Sequence, residues 1–501
     1  MKNLNLVLKG ASITFIGLVA ARLLSYIYVL LVSRLGTEQY GMLSIAVALT
    51  SFVSTLAILG MQTGIVRYAS YYLGKKDLKS VKGSILSALK LSVPTSIILS
   101  LLLLIFSEKI AVLFFHNTKI ASLLKVLAVM IPFSALNENL ISVFISFKRI
   151  GYVVIVKEII DRIIKFSITA LLIYLGFGLI GATYALSVTA IVISVILFYL
   201  LNKKVFRIFD KRTEAKFYTK EMFFFSMPLV FNAVLFLLVK WADVITIGII
   251  KGAEQTGIYN VALPTASLLV VVPTALMSLF TPIMHSLYGQ GKIKEIKKLS
   301  KRTTKWIFLF NFPLFILLFL FSKEIILVVF GKDYLPGALS LSVLSLGFII
   351  FSISHIPTNV LIMIKKTNLH FKIGAFTTFV NIGLNIILIP RIGIVGGAVS
   401  TSIALTLMYI IYSYYAYKFL KLQILSKKLF NAFISSMPSL LVIYLIKGFF
   451  KTSFLSIALE FSLFMIVYLI ILLSLKSFDK EDMELFNKIK MKLKGYISAE
   501  E

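Results

Sequence analysis

The stretch from Gly36 to Ala46 reads GTEQYGMLSIA, and the stretch from Gly252 to Ala262 reads GAEQTGIYNVA. Five of the eleven positions are identical: both glycines, the Glu-Gln pair and the closing alanine. The two fragments begin 216 residues apart. The echo continues at nearly the same offset. YYLGKKDLKSVK (71–82) matches SLYGQGKIKEIKK (286–298), with Gly74 opposite Gly289. FKR (147–149) matches IKK (364–366), and GFGLIGATYALS (176–187) matches RIGIVGGAVSTS (391–402), pairing Gly178 with Gly393 and Gly181 with Gly396. A shared helical period would not align glycines, so the chain contains an internal repeat.

What repeats is a membrane unit. The chain is 501 residues long and 59% hydrophobic, with a mean hydropathy of +0.96. Apolar runs of about 20 residues, each long enough to cross a bilayer core of about 30 Å, recur from end to end. The first runs to Val32 without a small-residue cleavage site, so it reads as a span and not as a signal peptide. Hydropathy places about fourteen helices, near 10–32, 43–66, 84–106, 121–147, 152–175, 179–201, 222–250, 258–284, 304–322, 336–364, 370–390, 394–416, 429–449 and 453–475.

Charge gives an independent count. The formal net charge is +31, and Lys and Arg concentrate in the loops after even-numbered spans: KKDLKSVK (75–82), FKR (147–149), NKKVFRIFDKRTEAKFYTK (202–220) and KIKEIKKLSKR (292–302). Cytoplasmic loops carry such an excess, which puts both termini in the cytoplasm of a multi-pass cell-membrane protein. Basic residues scattered through short loops argue against a nucleic-acid partner. The absence of cysteine excludes disulfides, thiolate metal sites and a Cys nucleophile.

Six spans per repeat return the chain to the side it left. The repeats are therefore parallel, related by a pseudo-twofold axis along the membrane normal. The expected organisation is a six-helix lobe (1–206), a cytoplasmic linker (207–221), a second six-helix lobe (222–417), two further helices (418–475) and a cytoplasmic tail (476–501). Within the tail, Met483, Phe486, Ile489 and Leu493 recur at helical spacing among lysines, the pattern of an amphipathic helix on an anionic leaflet.

Two similar bundles facing one another enclose a cavity that rocking can open to either side. Charges inside spans show where its polar surface lies. On insertion scales a charge at the bilayer centre costs about 2.5–3.5 kcal/mol, and eight stand near mid-depth: Arg22, Glu138, Glu158, Asp161, Arg162, Lys165, Lys240 and Asp243. Facing lipid they would cost on the order of 20 kcal/mol together, so they face protein or water. KEIIDRIIK (157–165) is the densest cluster, with Lys157, Asp161 and Lys165 on one stripe and Glu158 with Arg162 as a neighbouring i,i+4 pair. Either these groups neutralise one another, or Arg162 and Lys165 remain open to an anion. Lys240 and Asp243 stand three apart and present the same choice. Arg22 has no acid at helical spacing, which makes it the foremost candidate for holding phosphate oxygens. Arg67 is a snorkelling cation or a further cavity residue. Glu138 and His355 are candidates for a coupling proton, and the prolines of spans 7 to 9 suit helices that bend.

No GxSxG, HExxH or Walker A motif is present, and the loops leave no room for a catalytic domain. The expectation is a non-enzymatic protein without cofactor, driven if at all by H⁺ or Na⁺.

SRLGTEQYGMLSIA, GMQTGIVRYAS, FSMPLVFNAVLFLLVKWADVITIG (225–248), GAEQTGIYNVALP and RIGIVGGAVSTSIA (391–404) together resemble the polysaccharide and lipid-linked oligosaccharide flippases. These are the Wzx-type branch of the multidrug/oligosaccharidyl-lipid/polysaccharide exporter superfamily, and the likeness covers essentially the whole chain. The resemblance implies two six-helix lobes in a V shape and alternating access. It also implies a polyprenyl-(pyro)phosphate glycan as substrate, with Arg22, Arg67 and Arg162 toward its phosphates. Glycosyltransferases or a polymerase of the same pathway would be partners. The two C-terminal helices resemble the extra pair of the peptidoglycan-precursor flippases. An ion-coupled small-molecule antiporter and a non-transporting envelope scaffold are the alternative readings.

Overall fold

The computed structural model describes residues 20–208, 214–423, 429–446, 453–475 and 477, and among these residues it is all-helical. The amphipathic helix expected in the tail, the first ten residues of span 1 and part of the linker lie outside the described residues. The first repeat comprises α1 (Ala20–Ser33), α2 (Thr37–Ile58), α3 (Met61–Gly74), α4 (Leu78–Phe115), α5 (Lys119–Ala128), α6 (Met130–Ser146), α7 (Ile150–Val153), α8 (Asp161–Tyr174) and α9 (Gly178–Lys204), with a π-helical segment, Val154–Ile160, joining α7 to α8. The second comprises α10 (Thr219–Ala266), α11 (Val271–Gly289), α12 (Ile293–Leu320), α13 (Ser322–Val329), α14 (Ala338–Met363), α15 (Thr367–Ile392) and α16 (Ile394–Leu420). The helices α17 (Phe430–Ile446) and α18 (Phe454–Ser474) pair with each other and lean on α12.

Among the described residues nine helical stretches are long and apolar enough to cross a membrane. The α5–α6 pair, bent by 41°, makes a tenth, and α1 and Phe430–Leu445 are shorter apolar helices. The stretch Leu237–Gly289 is 53 residues long, about 80 Å at 1.5 Å per residue. That is more than one crossing, and the tally is compatible with the expected fourteen. The chain is a multi-pass α-helical membrane protein.

The repeat is visible in the backbone. Residues with left-handed φ recur at matching positions: Gly36 with Gly252, Lys76 with Gly291, Lys148 with Lys365, and Gly178 with Gly393. Each lies where a helix must stop or turn. A fifth pair, His116 and Gly331, follows SEKIAVLFF (107–115) and SKEIILVVF (322–330), which share Ser, Ile and Phe at matching positions.

The opening fragments meet at the pseudo-twofold axis. Helix α2 crosses the part of α10 that follows the break at Gly252 (φ 84°, ψ −179°). A Cβ on Gly41 would stand 1.7 Å from the Ala253 carbonyl oxygen, and one on Gly257 would stand 1.9 Å from the Thr37 carbonyl oxygen. Thr37 and Ala253 are themselves repeat partners, so the contact is reciprocal. Glycine recurs because two backbones touch there. One turn on, Asn260 Nδ2 donates to the hydroxyl of Ser44, its repeat equivalent, at 2.7 Å, and the Tyr40 hydroxyl donates to the Asn260 carbonyl at 3.1 Å. Three more contacts tie the repeats at this end: Tyr26 to Thr265 at 3.0 Å, Arg34 to the Val329 carbonyl at 3.0 Å, and Tyr334 to the Ser33 carbonyl at 2.7 Å.

Candidate functional site

The charges of the first lobe gather where α1, α6, the π segment and α8 meet. Lys157 Nζ lies 2.7 Å from Glu138 Oε1, and the Arg162 guanidinium lies 2.9 Å from Glu158 Oε2. The i,i+4 pair forms as its spacing predicts. Lys157, within the π segment, pairs with Glu138 of α6, and Asp161 lies under the charges of Lys165, Arg162 and Lys157. Such π turns recur at functional positions in helices. Arg162 also donates from Nε to Ser25 Oγ at 2.9 Å and from a terminal nitrogen to the Lys157 carbonyl at 2.5 Å. Its planar fork is therefore spent on tying α8 to α1 and on closing the π segment. Lys165 reaches across to α1, with its ammonium 4.7 Å from the centre of the Tyr28 ring, and Asp161 is its nearest counter-charge.

Lys240 approaches from the other lobe. Its ammonium stands 4.8 Å from the Trp241 ring, and the charges acting on it are those of Arg22 and Lys165. Among the described residues no acid stands within ion-pair distance of Arg22 or Lys240. Among the described residues Arg22, Lys165 and Lys240 make no ion pair, and Asp161 is the acid that acts on Lys165. A phosphate group supplies the countercharge and acceptor oxygens that this arrangement lacks.

Asp243 does not pair with Lys240. It turns into the second lobe, 5% exposed, and accepts from four neutral donors: Tyr259 Oη at 2.6 Å, Thr401 Oγ1 at 2.5 Å, Asn385 Nδ2 at 2.7 Å and Asn381 Nδ2 at 3.3 Å. The donors come from α10, α15 and α16. Hydrogen bonds to a charged group contribute roughly 1.5–3 kcal/mol each, which keeps a buried carboxylate in place without a cationic side chain. Asn385 Oδ1 is buried with no partner. A buried carboxylate among neutral donors, with an unsatisfied amide oxygen on one of the residues that hold it, is a place where a proton or a small hard cation can be taken up.

The remaining candidates lie apart from this cluster. Arg67, midway along α3, sits with its guanidinium 4.1 Å from the centre of the Phe225 ring. His355 packs edge-on to Phe351, with Nδ1 at 3.4 Å from that residue's carbonyl, and bonds to no other titratable group. The sequence reading passed over Ser25, Tyr259, Asn381, Asn385 and Thr401, which are neutral and stand out only beside a charge. Asn381 and Asn385 did carry a signal, two amides at i,i+4 in an apolar span.

Residues 7–288 match the family described as "Polysaccharide biosynthesis protein", and residues 228–387 match the MatE family. The chain belongs to the polysaccharide biosynthesis protein family. Two relatives are the "Putative O-antigen transporter" of Shigella flexneri, 23% identical over 74% of this chain and 88% of that one, and the "Probable low-salt glycan biosynthesis flippase Agl15" of Haloferax volcanii, 24% identical over 41% and 43%. In fold the chain is similar to the lipid II flippase MurJ in an inward closed conformation, with a TM-score of 0.75 and 19% identity, covering 92% of this chain and 98% of that one.

Proposed function

We propose that this chain flips a polyprenyl-(pyro)phosphate-linked oligosaccharide or polysaccharide precursor from the cytoplasmic to the outer leaflet of the cell membrane by alternating access. The observation that carries the reading is the group of cations without an ion pair among the described residues, Arg22 and Lys165 from the first lobe and Lys240 from the second, that the two lobes bring together. The family and the relatives' names support it. An anionic head group bridging both lobes gives each lobe a share of the binding energy, and that lets binding and rocking influence one another.

In this reading the basic loops are cytoplasmic, following the excess of Lys and Arg. The Gly41–Gly257 crossing and the Ser44–Asn260 hydrogen bond then close the outer end. The lipid tail stays in the bilayer while the glycan crosses the polar interior, and no bond is made or broken. The protein is a transporter and not an enzyme, and glycosyltransferases or a polymerase of the same pathway supply or consume its cargo. Coupling to Na⁺ or H⁺ falls most naturally on Asp243, a buried carboxylate held by the amide groups of Asn381 and Asn385 and the hydroxyls of Thr401 and Tyr259.

The test is leaflet-to-leaflet movement of a polyprenyl-pyrophosphate oligosaccharide in liposomes holding the purified protein, with an externally added enzyme reporting exposed glycan. Exposure faster than in protein-free liposomes, abolished in a folded Arg22→Ala variant, is the expected result. Equal rates with and without protein, for several head groups and under both H⁺ and Na⁺ gradients, would overturn the reading.

A further inference from the structure

The helix α10 is fastened at its two ends to different bodies. Residues 214–218, leading into it, lie along α4. The Lys216 amide donates to the Lys79 carbonyl at 3.1 Å and the Tyr218 amide to Ser87 Oγ at 3.0 Å. The Tyr218 hydroxyl bonds Ser80 at 2.9 Å, its ring stacks on Tyr72 at 4.9 Å, and the Thr219 hydroxyl reaches Ser87 at 3.2 Å. Gly83 makes the fit possible, since a Cβ there would stand 1.7 Å from the Lys216 carbonyl oxygen. The first turns of α10 continue the attachment. Ser226 lies against Gly60 and Gly64 of the α2–α3 corner, where any Cβ would meet it within 2.8 Å, and the Phe225 ring lies under Arg67. Seventeen residues on, Asp243 is held by α15 and α16 of the other lobe.

Between these anchors the helix carries a proline. Pro228 removes one backbone donor and crowds the preceding turn. Met227, Phe231 and Val239 are exposed while Val230 is buried, so one face of the interval is left clear for the helix to bend toward. Pro kinks are the usual site at which a helix bends sharply.

We propose that the moving boundary between the lobes runs through α10 and not through the linker before it. Residues 214–226 travel with the first lobe, and α10 bends between Ser226 and Lys240 as access alternates. This rests on the flippase reading above. It also gives Lys240 a second role: it sits just beyond the bend, so bending changes its distance from Arg22 and Lys165, and an anionic head group offsets the repulsion among the three.

The absence of native cysteine allows a direct test, with Ser87→Cys/Thr219→Cys locking the attachment to α4 and Ser44→Cys/Asn260→Cys locking the outer closure. In the liposome assay the oxidised Ser87→Cys/Thr219→Cys protein is expected to flip within about twofold of its reduced form, while the Ser44→Cys/Asn260→Cys lock slows flipping by at least about tenfold, reversibly on reduction. Reversible arrest by the Ser87–Thr219 lock would overturn the proposal. Spin labels at the same two pairs keep the outcome separate from the flippase reading. A Ser87–Thr219 distance that holds while the Ser44–Asn260 distance varies supports the proposal even if no lipid moves. One that changes in step with it refutes the proposal.

Discussion

At Asp243 a single carboxylate gathers four donors from three helices, and the identity of each partner matters. Asp243→Asn keeps the shape and removes the charge. It is expected to leave a folded protein whose flipping no longer responds to a Na⁺ or H⁺ gradient. Measuring the rate with each gradient imposed and dissipated checks this, and an unchanged gradient response would move coupling elsewhere. Asp243→Ala strands buried donors at about 1–3 kcal/mol each and should show first as a lowered melting temperature. Glu138 is the obvious second carboxylate, but it is tied to Lys157. Glu138→Gln is expected to flatten the pH profile of flipping if a proton travels that way; an unchanged profile dismisses it. Residue chemistry was legible in the sequence where it was charged, because a charge in an apolar span is costly wherever it sits. Which charges pair was not, since Lys157 found its partner nineteen residues away and Lys240 found none.

Elements are set by their ends and crossings. Helix α4 starts at Asp77, whose carboxylate accepts from the Ser80 amide at 3.0 Å and the Ser80 hydroxyl at 2.6 Å. These bonds hold its pKa below the usual carboxylate value. A lowered folded pKa means stability that is present above the ordinary carboxylate range and lost as pH falls through it. Asp77→Ala is therefore expected to lower the melting temperature at neutral pH, with the gap from the parent closing under acid. The α2–α10 crossing makes a sharper demand. Gly41→Ala and Gly257→Ala each push a methyl group into a backbone carbonyl, and overpacking of this kind costs about 1–3 kcal/mol. The near-symmetry of the contact predicts similar losses for the two, read as melting shifts. The glycines were conspicuous in the sequence as a repeated pattern. That they are repeated because they touch one another could only be seen once the helices were placed.

On the scale of the whole molecule, two parallel repeats close against each other at one end and are bridged by α10 at the other. The Ser44→Cys/Asn260→Cys lock described above tests the closed end, and its arrest of flipping is the expected sign that this end must part. The sequence by itself determined the membrane class, the repeat and its parallel sense, and the residues too polar for lipid. Those properties follow from hydropathy, loop charge and the parity of six spans, all local or additive along the chain. Tertiary structure alone decided that Arg162 is occupied, that Asp243 turns away from Lys240 toward neutral donors, and that α10 begins on one lobe and ends in the other. These depend on which helices become neighbours across 137 to 301 residues of chain. Spacing within one helix cannot encode such contacts.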